Sequence, residues 1–288
     1  MKRASVLRLL AWTLACGAAV AWAAPVQAGG GGQAIPVAPK AAAKVTPKPA
    51  GSELLGQWEV SRVLADLADQ PHWGIRPGDA SLLYRSMTIT ADKIWFVGDS
   101  KSCDQPSWQP LATTWQSLFQ KTGMSRTPSN SAPARATPQD YDLKVSPKQR
   151  VQAFLVCPRA GASASKAWRD AGWMALESAD SLVVRYSGQV LVVLRRRAQD
   201  EKPQASFSCE KASSPSEKTI CSDRELAAWD RSVAEALRQV MEYKADADEK
   251  ARVLREHMAW KAERDKCGAD SACLRSSLSS RVTLLNQE

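Results

Sequence analysis

Between Leu54 and about residue 196 the apolar positions come in short runs divided by turn residues. Trp58-Glu59-Val60-Ser61-Arg62-Val63 alternates roughly between apolar and polar, the period of a half-buried strand. Ser86-Met87-Thr88-Ile89-Thr90 and Lys93-Ile94-Trp95-Phe96-Val97 flank Ala91-Asp92, which predicts two strands joined by a tight turn. Tyr141 to Val145, Val151 to Val156, Leu182 to Tyr186 and Val190 to Leu194 read as further strands, the last two meeting at Ser187-Gly188. Strands separated by turns, with no amphipathic helix between them, predict an antiparallel sheet closed into a barrel or sandwich. The Ser/Thr/Pro-rich stretch 121–140 reads as a long mobile loop.

From Phe207 the period lengthens to that of helices. Ser214-Pro215-Ser216-Glu217 and Ser222-Asp223-Arg224-Glu225 each place Ser three residues before Glu. That is a capping box, in which Ser oxygen and Glu carboxylate each satisfy an orphan backbone N–H. Pro215 stands at the first helical position, where its missing N–H costs nothing. Leu226, Trp229, Val233, Leu237, Val240 and Met241 then form one apolar stripe on a long helix. Asp246 or Asp248 starts a further helix carrying Leu254, Met258 and Ala262, and Asp270 caps a last one carrying Leu274, Leu278 and Leu285. Such helices bury little alone, so they predict a small bundle. The fold class is α+β, an N-terminal antiparallel β-barrel or sandwich followed by a disulfide-stapled helical bundle.

Residues 1–28 have the tripartite form of a secretory signal: Lys2 and Arg3, an apolar run from about Leu9 to Val20, and small residues in Val26-Gln27-Ala28. Cleavage after Ala23 is the rival site, and lipidation at Cys16 is disfavoured because Thr13-Leu14-Ala15 is a poor lipidation box. Arg8 and Pro25 make the run too short and interrupted for a retained span. Residues 29–50 form a Gly/Ala/Pro/Lys tether. The expected organisation is therefore signal 1–28, linker 29–50, β domain 51–203 and helical domain 204–288, in a periplasmic or secreted protein that is not an integral membrane protein after signal removal. Export gives the cysteines a meaning. Without Cys16 there remain Cys103, Cys157, Cys209, Cys221, Cys267 and Cys273, an even set that reads as disulfides before metal ligands. The economical pairing is Cys103–Cys157, Cys209–Cys221 and Cys267–Cys273, and the spacings C-x11-C and C-x5-C match no common zinc pattern.

Charge removes further classes. The chain has 39 Lys+Arg against 30 Asp+Glu, a formal +9, of which residues 1–28 carry +3. The remainder is mildly basic with no dense stripe, and Arg195-Arg196-Arg197 reads as a solvated strand end, so no nucleic-acid partner is expected. Two histidines, His72 and His257, leave little for His-based catalysis or a multi-His metal site. With no Ser-His-Asp set, phosphate loop or activated cysteine in view, a binding protein without cofactor is expected rather than an enzyme.

Two resemblances sharpen this. Gly56-Gln57-Trp58 at the first strand resembles the Gly-x-Trp signature of lipocalin-like barrels, which implies that Trp58 packs across a closed barrel end and that the interior accepts an apolar ligand. Ser206-Phe207-Ser208-Cys209-Glu210-Lys211-Ala212, Glu217 to Asp223, Glu225 to Asp230, Trp260 to Cys267, Cys273-Leu274 and Arg281 resemble the LprI-like lysozyme-inhibitor domain over about 206–285. Trp229 stands where that family usually has Leu, and Ser277 near where it often has an aromatic. The resemblance implies an exported helical domain with four cysteines and, for some members, inhibition of lysozyme; Arg264 and Asp265 read as an ion pair orienting the helices. The expected function is thus inhibition of a lysozyme-type muramidase in the cell envelope, with an apolar-ligand carrier or a scaffold contacting peptidoglycan as alternatives.

Lysozyme cleaves with two carboxyl groups in a cleft, so an inhibitor must cover the cleft or insert a polar group. The candidate tool is the loop Cys267-Gly268-Ala269-Asp270-Ser271-Ala272-Cys273, made rigid by its bridge. Ser271 would hydrogen-bond a carboxyl and Asp270 would share a proton with one; the competing reading makes Asp270 a helix cap and the loop a staple. A basic chain is not steered towards a basic lysozyme, but residues 204–288, with 14 basic and 15 acidic side chains, are nearly neutral.

Overall fold

The computed structural model describes residues 49–66, 75–97, 102–126, 132, 134–157 and 172–288. The expected signal segment, all but the end of the linker, and His72 lie outside the described residues.

Among the described residues there are eleven strands: β1 Gly56–Leu64, β2 Ser86–Ile89, β3 Lys93–Phe96, β4 Ser102–Asp104, β5 Trp108–Thr114, β6 Ser125–Arg126, β7 Ala134–Arg135, β8 Arg150–Val156, β9 Trp173–Ser178, β10 Ser181–Ser187 and β11 Val190–Arg196. Nine form one antiparallel sheet in the order β4-β3-β2-β1-β11-β10-β9-β8-β5. The hairpins at Ala91-Asp92 and Ser187-Gly188 join β2 to β3 and β10 to β11. The two edge strands, β4 and β5, are consecutive in the chain. The Cys103–Cys157 bridge ties β4 to the residue after β8, and the Cys157 N–H donates to the Ser107 carbonyl at 3.1 Å. The sheet therefore curls into a half-barrel whose edges are held by a disulfide instead of a full ladder.

Trp58, Met87, Ile89, Ile94, Phe96, Phe154, Met174, Leu182, Val184, Val192 and Leu194 fill the concave side. Trp58 is fully buried, its Nε1–H donates to the Leu54 carbonyl at 2.8 Å, and the Arg196 guanidinium lies 4.1 Å over its ring. Arg196 also donates to the carbonyls of Glu53 and Leu55, fastening the 3-10 turn Ser52–Leu54 beneath the tryptophan. Among the described residues the concave side is filled by side chains, and the carrier alternative gains no support. A groove of about 780 Å3 between Pro49–Glu53 and strands β5 and β8 is open to solvent, not enclosed.

The convex side is covered too. Helix α1 (Trp115–Lys121) and the 3-10 turn Pro138–Tyr141 lay Trp115, Phe119 and Tyr141 against Trp173, Ala175, Val183, Leu191 and Val193. Burial on both faces is why Val190-Leu191-Val192-Val193-Leu194 is an unbroken apolar run. Helix α1 departs from the expectation of no helix among the strands; Thr114 caps it by accepting from the Ser117 N–H. Tyr141 to Val145 is not a strand either. Tyr141 closes the 3-10 turn, and Asp142 then adopts φ 54°, a left-handed conformation no strand continues through. Of the stretch expected as a loop at 121–140, residues 127–131 and 133 lie outside the described residues, and the rest holds order: β6 pairs with β7, and Asp140 accepts from Thr137 and Arg126. The arginine run is a further correction. Arg195 pairs with Glu59 and Glu201, Arg196 stacks on Trp58, and Arg197 is buried, so none forms a solvated strand end.

The C-terminal part comprises α2 (Pro215–Ser222), α3 (Arg224–Tyr243), α4 (Ala247–Asp265) and α5 (Ser271–Leu285). Ser214 and Glu217 form the expected capping box on α2. The cap of α3 is Asp223, not Ser222: α2 runs through Ser222, and the Asp223 carboxylate accepts from the N–H groups of Glu225 and Leu226. A carboxylate at a helix N-terminus is favoured by the helix dipole. Asp246 caps α4. The sulfurs of Cys209 and Cys221, and of Cys267 and Cys273, are bonded. Ile220, Leu226, Val233, Ala236, Val240, Val253, Leu274, Leu278, Val282 and Leu285 make the bundle core, and Ala80, from the segment before β2, is part of it.

Residues 47–288 form one unit, and the junction inside it is polar and specific. Gln239 donates to the Gly78 carbonyl at 2.8 Å. Arg85 donates to Ser232 Oγ at 2.8 Å and lies 3.6 Å over the Trp229 ring. Burial pushes the Arg85 guanidinium down to about 9, which leaves it cationic at neutral pH. Glu59 on β1 accepts from Arg195 on β11 at 2.9 Å and from Arg231 on α3 at 2.7 Å.

Candidate functional site

The last turn of α4 tightens as it ends, with the N–H groups of Lys266, Cys267 and Gly268 donating to the carbonyls of Glu263, Arg264 and Asp265. Gly268 then turns the chain at φ +58°, a conformation glycine adopts without cost, and the Asp270 N–H donates to the Cys267 carbonyl at 3.0 Å. Asp270 Oδ1 accepts from the N–H groups of Ala272 at 2.9 Å and Cys273 at 3.0 Å, so this carboxylate caps α5. Asp270 is exposed and Ser271 half-buried, and the Ser271 hydroxyl makes no hydrogen bond within the described residues. The Cys267–Cys273 bridge holds both on one short rigid loop. Because the cap needs only an acceptor, Asp270→Ala should lower stability by about 1 kcal/mol and Asp270→Asn by much less, as read from urea midpoints.

Trp260 organises the α4–α5 contact. Its Nε1–H donates to Ser277 Oγ at 3.1 Å, and the His257 ring and the Arg264 and Arg281 guanidinium groups lie 5.1, 5.5 and 5.8 Å from its ring. Arg264 is 3% exposed; it donates to Asp265 at 2.7 Å and lies 3.7 Å from Asp230 on α3, whose carboxylate also accepts from the Ser206 N–H at 2.7 Å. The pair read from Arg264-Asp265 lies within α4 and extends through Asp230 to a second helix, α3. A cleft of about 210 Å3 between α3 and α4 is lined by Phe207, Asp230, Leu237, His257, Lys261 and Arg264.

Burial, then the charges of Arg281, Arg264 and Lys261, pushes His257 down to about 4. A histidine of ordinary pKa, about 6.5, in the unfolded chain binds its proton before the folded one does. Stability should therefore fall as pH drops from about 6.5 towards about 4. His257→Gln should flatten the Tm-against-pH curve in that window; an unchanged slope would show that the imidazole is not responsible. Glu201, Glu217, Glu235 and Glu288 are also held below the usual carboxylate range, so their loss of stability falls in a more acidic window.

The outer face of α4 was not legible as a surface. Leu254, Met258 and Ala262 read as a packing stripe, yet Leu254 is 46% and Met258 64% exposed. The helix packs instead through Val253, Trp260 and Arg264, about 140° round the axis. Two competing stripes on one helix make the inward one ambiguous until its neighbours are placed. Among the described residues no cluster of His, Cys, Asp and Glu is suited to a metal ion, and no helix is long and apolar enough to cross a membrane.

Residues 209–285 match the family model for the lysozyme inhibitor LprI, an interval that opens on Cys209 and closes at the end of α5. No curated protein and no solved structure matches the chain.

Proposed function

We propose that this chain is an exported cell-envelope protein that inhibits a lysozyme-type muramidase through its helical bundle. The observation that carries the reading is the family match, which coincides with the four helices and both of their bridges. Rigidity supports it: two disulfides and a buried Arg264–Asp230 pair fix the helices, so little conformational entropy is lost on binding. Three bridges from six cysteines suit an oxidising compartment, and with the signal-like residues 1–28 they support a periplasmic or secreted location. At the contact, Ser271 would donate to a carboxyl of the partner's cleft and Asp270 would share a proton with one.

The test is a turbidity assay of cell-wall lysis by a c-type lysozyme, with the chain from residue 29 titrated in and a reduced, alkylated sample as control. Stoichiometric loss of lysis, abolished by reduction, is the expected result. Ser271→Ala and Asp270→Asn should each raise the inhibition constant about tenfold. Full lysis at micromolar excess, repeated with bacterial muramidases, would remove the reading.

A further inference from the structure

We infer that the outer face of α4 is the main docking surface for the muramidase, with Leu254 and Met258 as apolar anchors and Lys261 as the cation directed at its acidic cleft. This rests on the inhibitor reading above and specifies which surface performs it.

The first observation is the pairing of cations on the bundle. Arg238 pairs with Glu235 and Glu242, Arg252 with Glu256 and Glu288, Lys266 with Glu263, Arg275 with Glu225, and Lys244 with Glu249 and Glu288. Lys250, Arg255 and Lys261 on α4 make no ion pair within the described residues; elsewhere on the bundle Lys211, Lys218, Arg224 and Arg281 make none either, but of these Arg224 is held by the Glu201 carbonyl and Arg281 lies against the Trp260 ring. Lys250 and Lys261 bracket Leu254 and Met258 on one side of the helix, over about 16 Å of axis, with Arg255 on the flank. The nearby carboxylates are largely engaged: Glu256, Glu263 and Asp265 by Arg252, Lys266 and Arg264, and Glu217 of α2, which feels the Lys261 charge, by the N–H groups of Ser213 and Ser214; Asp248, in the first turn, has no cation partner.

The second observation is the apolar exposure itself. Leu254 and Met258 lie one turn apart, 46% and 64% exposed, on a helix whose other large apolar side chains face inward. A strip with an apolar centre and unpaired cations at its ends complements a cleft that holds two carboxyl groups. Residues 204–288 carry 14 basic and 15 acidic side chains, so this complementarity is local and does not need a net-positive bundle. The strip also continues along the helix through Ala262 and Asp265 into the Gly268–Asp270 turn, joining the candidate loop to the same surface.

The experiment uses the chain from residue 29 with Leu254→Asp/Met258→Asp and Lys261→Glu. Leu254 and Met258 are exposed and Lys261 is half-buried at the rim of the α3–α4 cleft, so Tm and far-ultraviolet circular dichroism are read for each variant and should match the parent. The double variant should raise the inhibition constant by about 30-fold or more and Lys261→Glu by about tenfold. A parent that inhibits, with folded variants that inhibit equally well, overturns this inference and leaves the inhibitor reading standing. A parent that inhibits no muramidase overturns both. Binding to anionic phosphatidylglycerol vesicles that the variants lose, with inhibition unchanged, would assign the strip to a membrane surface and overturn the inference in that way.

Discussion

Glu59→Ala is expected to destabilise the protein by about 3 kcal/mol or more, because it leaves the Arg231 guanidinium facing a buried position with no anion and Arg195 with Glu201 alone. Glu59 is 3% exposed and accepts from Arg195 and Arg231 at 2.9 and 2.7 Å. Arg231 is held by little else there: its guanidinium rests 4.2 Å over the Tyr84 ring, and its Nε has no hydrogen-bond partner. For a unit of this size the Tm should fall by about 6–20 °C. Because the carboxylate bridges β1 to α3, the melting curve should also broaden or split as sheet and bundle lose their coupling. The Glu59→Ala/Arg231→Ala double variant should cost clearly less than the two single changes added together. A fall of under about 1 kcal/mol would place this group with ordinary surface ion pairs and refute the bridging role.

Trp58→Ala should be of similar size, about 3–5 kcal/mol, through the cavity left by a fully buried indole. Three further losses follow from the same position. The Leu54 carbonyl loses its Nε1–H donor, the Arg196 guanidinium loses the ring it covers, and the Ser52–Leu54 turn loses its floor. Trp58→Phe keeps most of the packing and removes the indole hydrogen bond, so about 1–2 kcal/mol is expected. Urea unfolding followed by circular dichroism measures both. A Trp58→Phe loss as large as that of Trp58→Ala would show that the hydrogen bond, and not the buried volume, is what matters.

The features legible from residue order are those whose cause is local. Ala91-Asp92 and Ser187-Gly188 mark hairpins because a two-residue turn fixes its own strands, and Ser214 with Glu217 marks a helix start because both caps lie within one turn. Helix α1 escaped notice since Trp115, Leu118 and Phe119 fall within seven residues, too few for a helical period to stand out from a strand. Arg195 was misread for the opposite reason: its partner Glu59 is 136 residues away, and no spacing rule reaches that far. The candidate site divides the same way. The Asp270 cap is visible in the chain, whereas the exposure of Leu254 and Met258 depends on where α3 and α5 leave room.

The place of β1 in the sheet sets the order in which this protein can fold. Its neighbours are β2, close behind it, and β11, where Trp58 faces Arg196. A chain made from its amino end therefore carries Trp58, Val60 and Val63 with one open edge until more than a hundred further residues exist. Closure over such a span is slow, and an unpaired apolar strand is the kind of surface that holdase chaperones cover and aggregates recruit. Docking of the bundle inherits the delay, since Ala80 and Arg85 reach their places against it only when the segment leading into β2 is set. Refolding should accordingly show the helices gaining ellipticity early and the Arg85–Trp229 and Glu59–Arg231 contacts locking last.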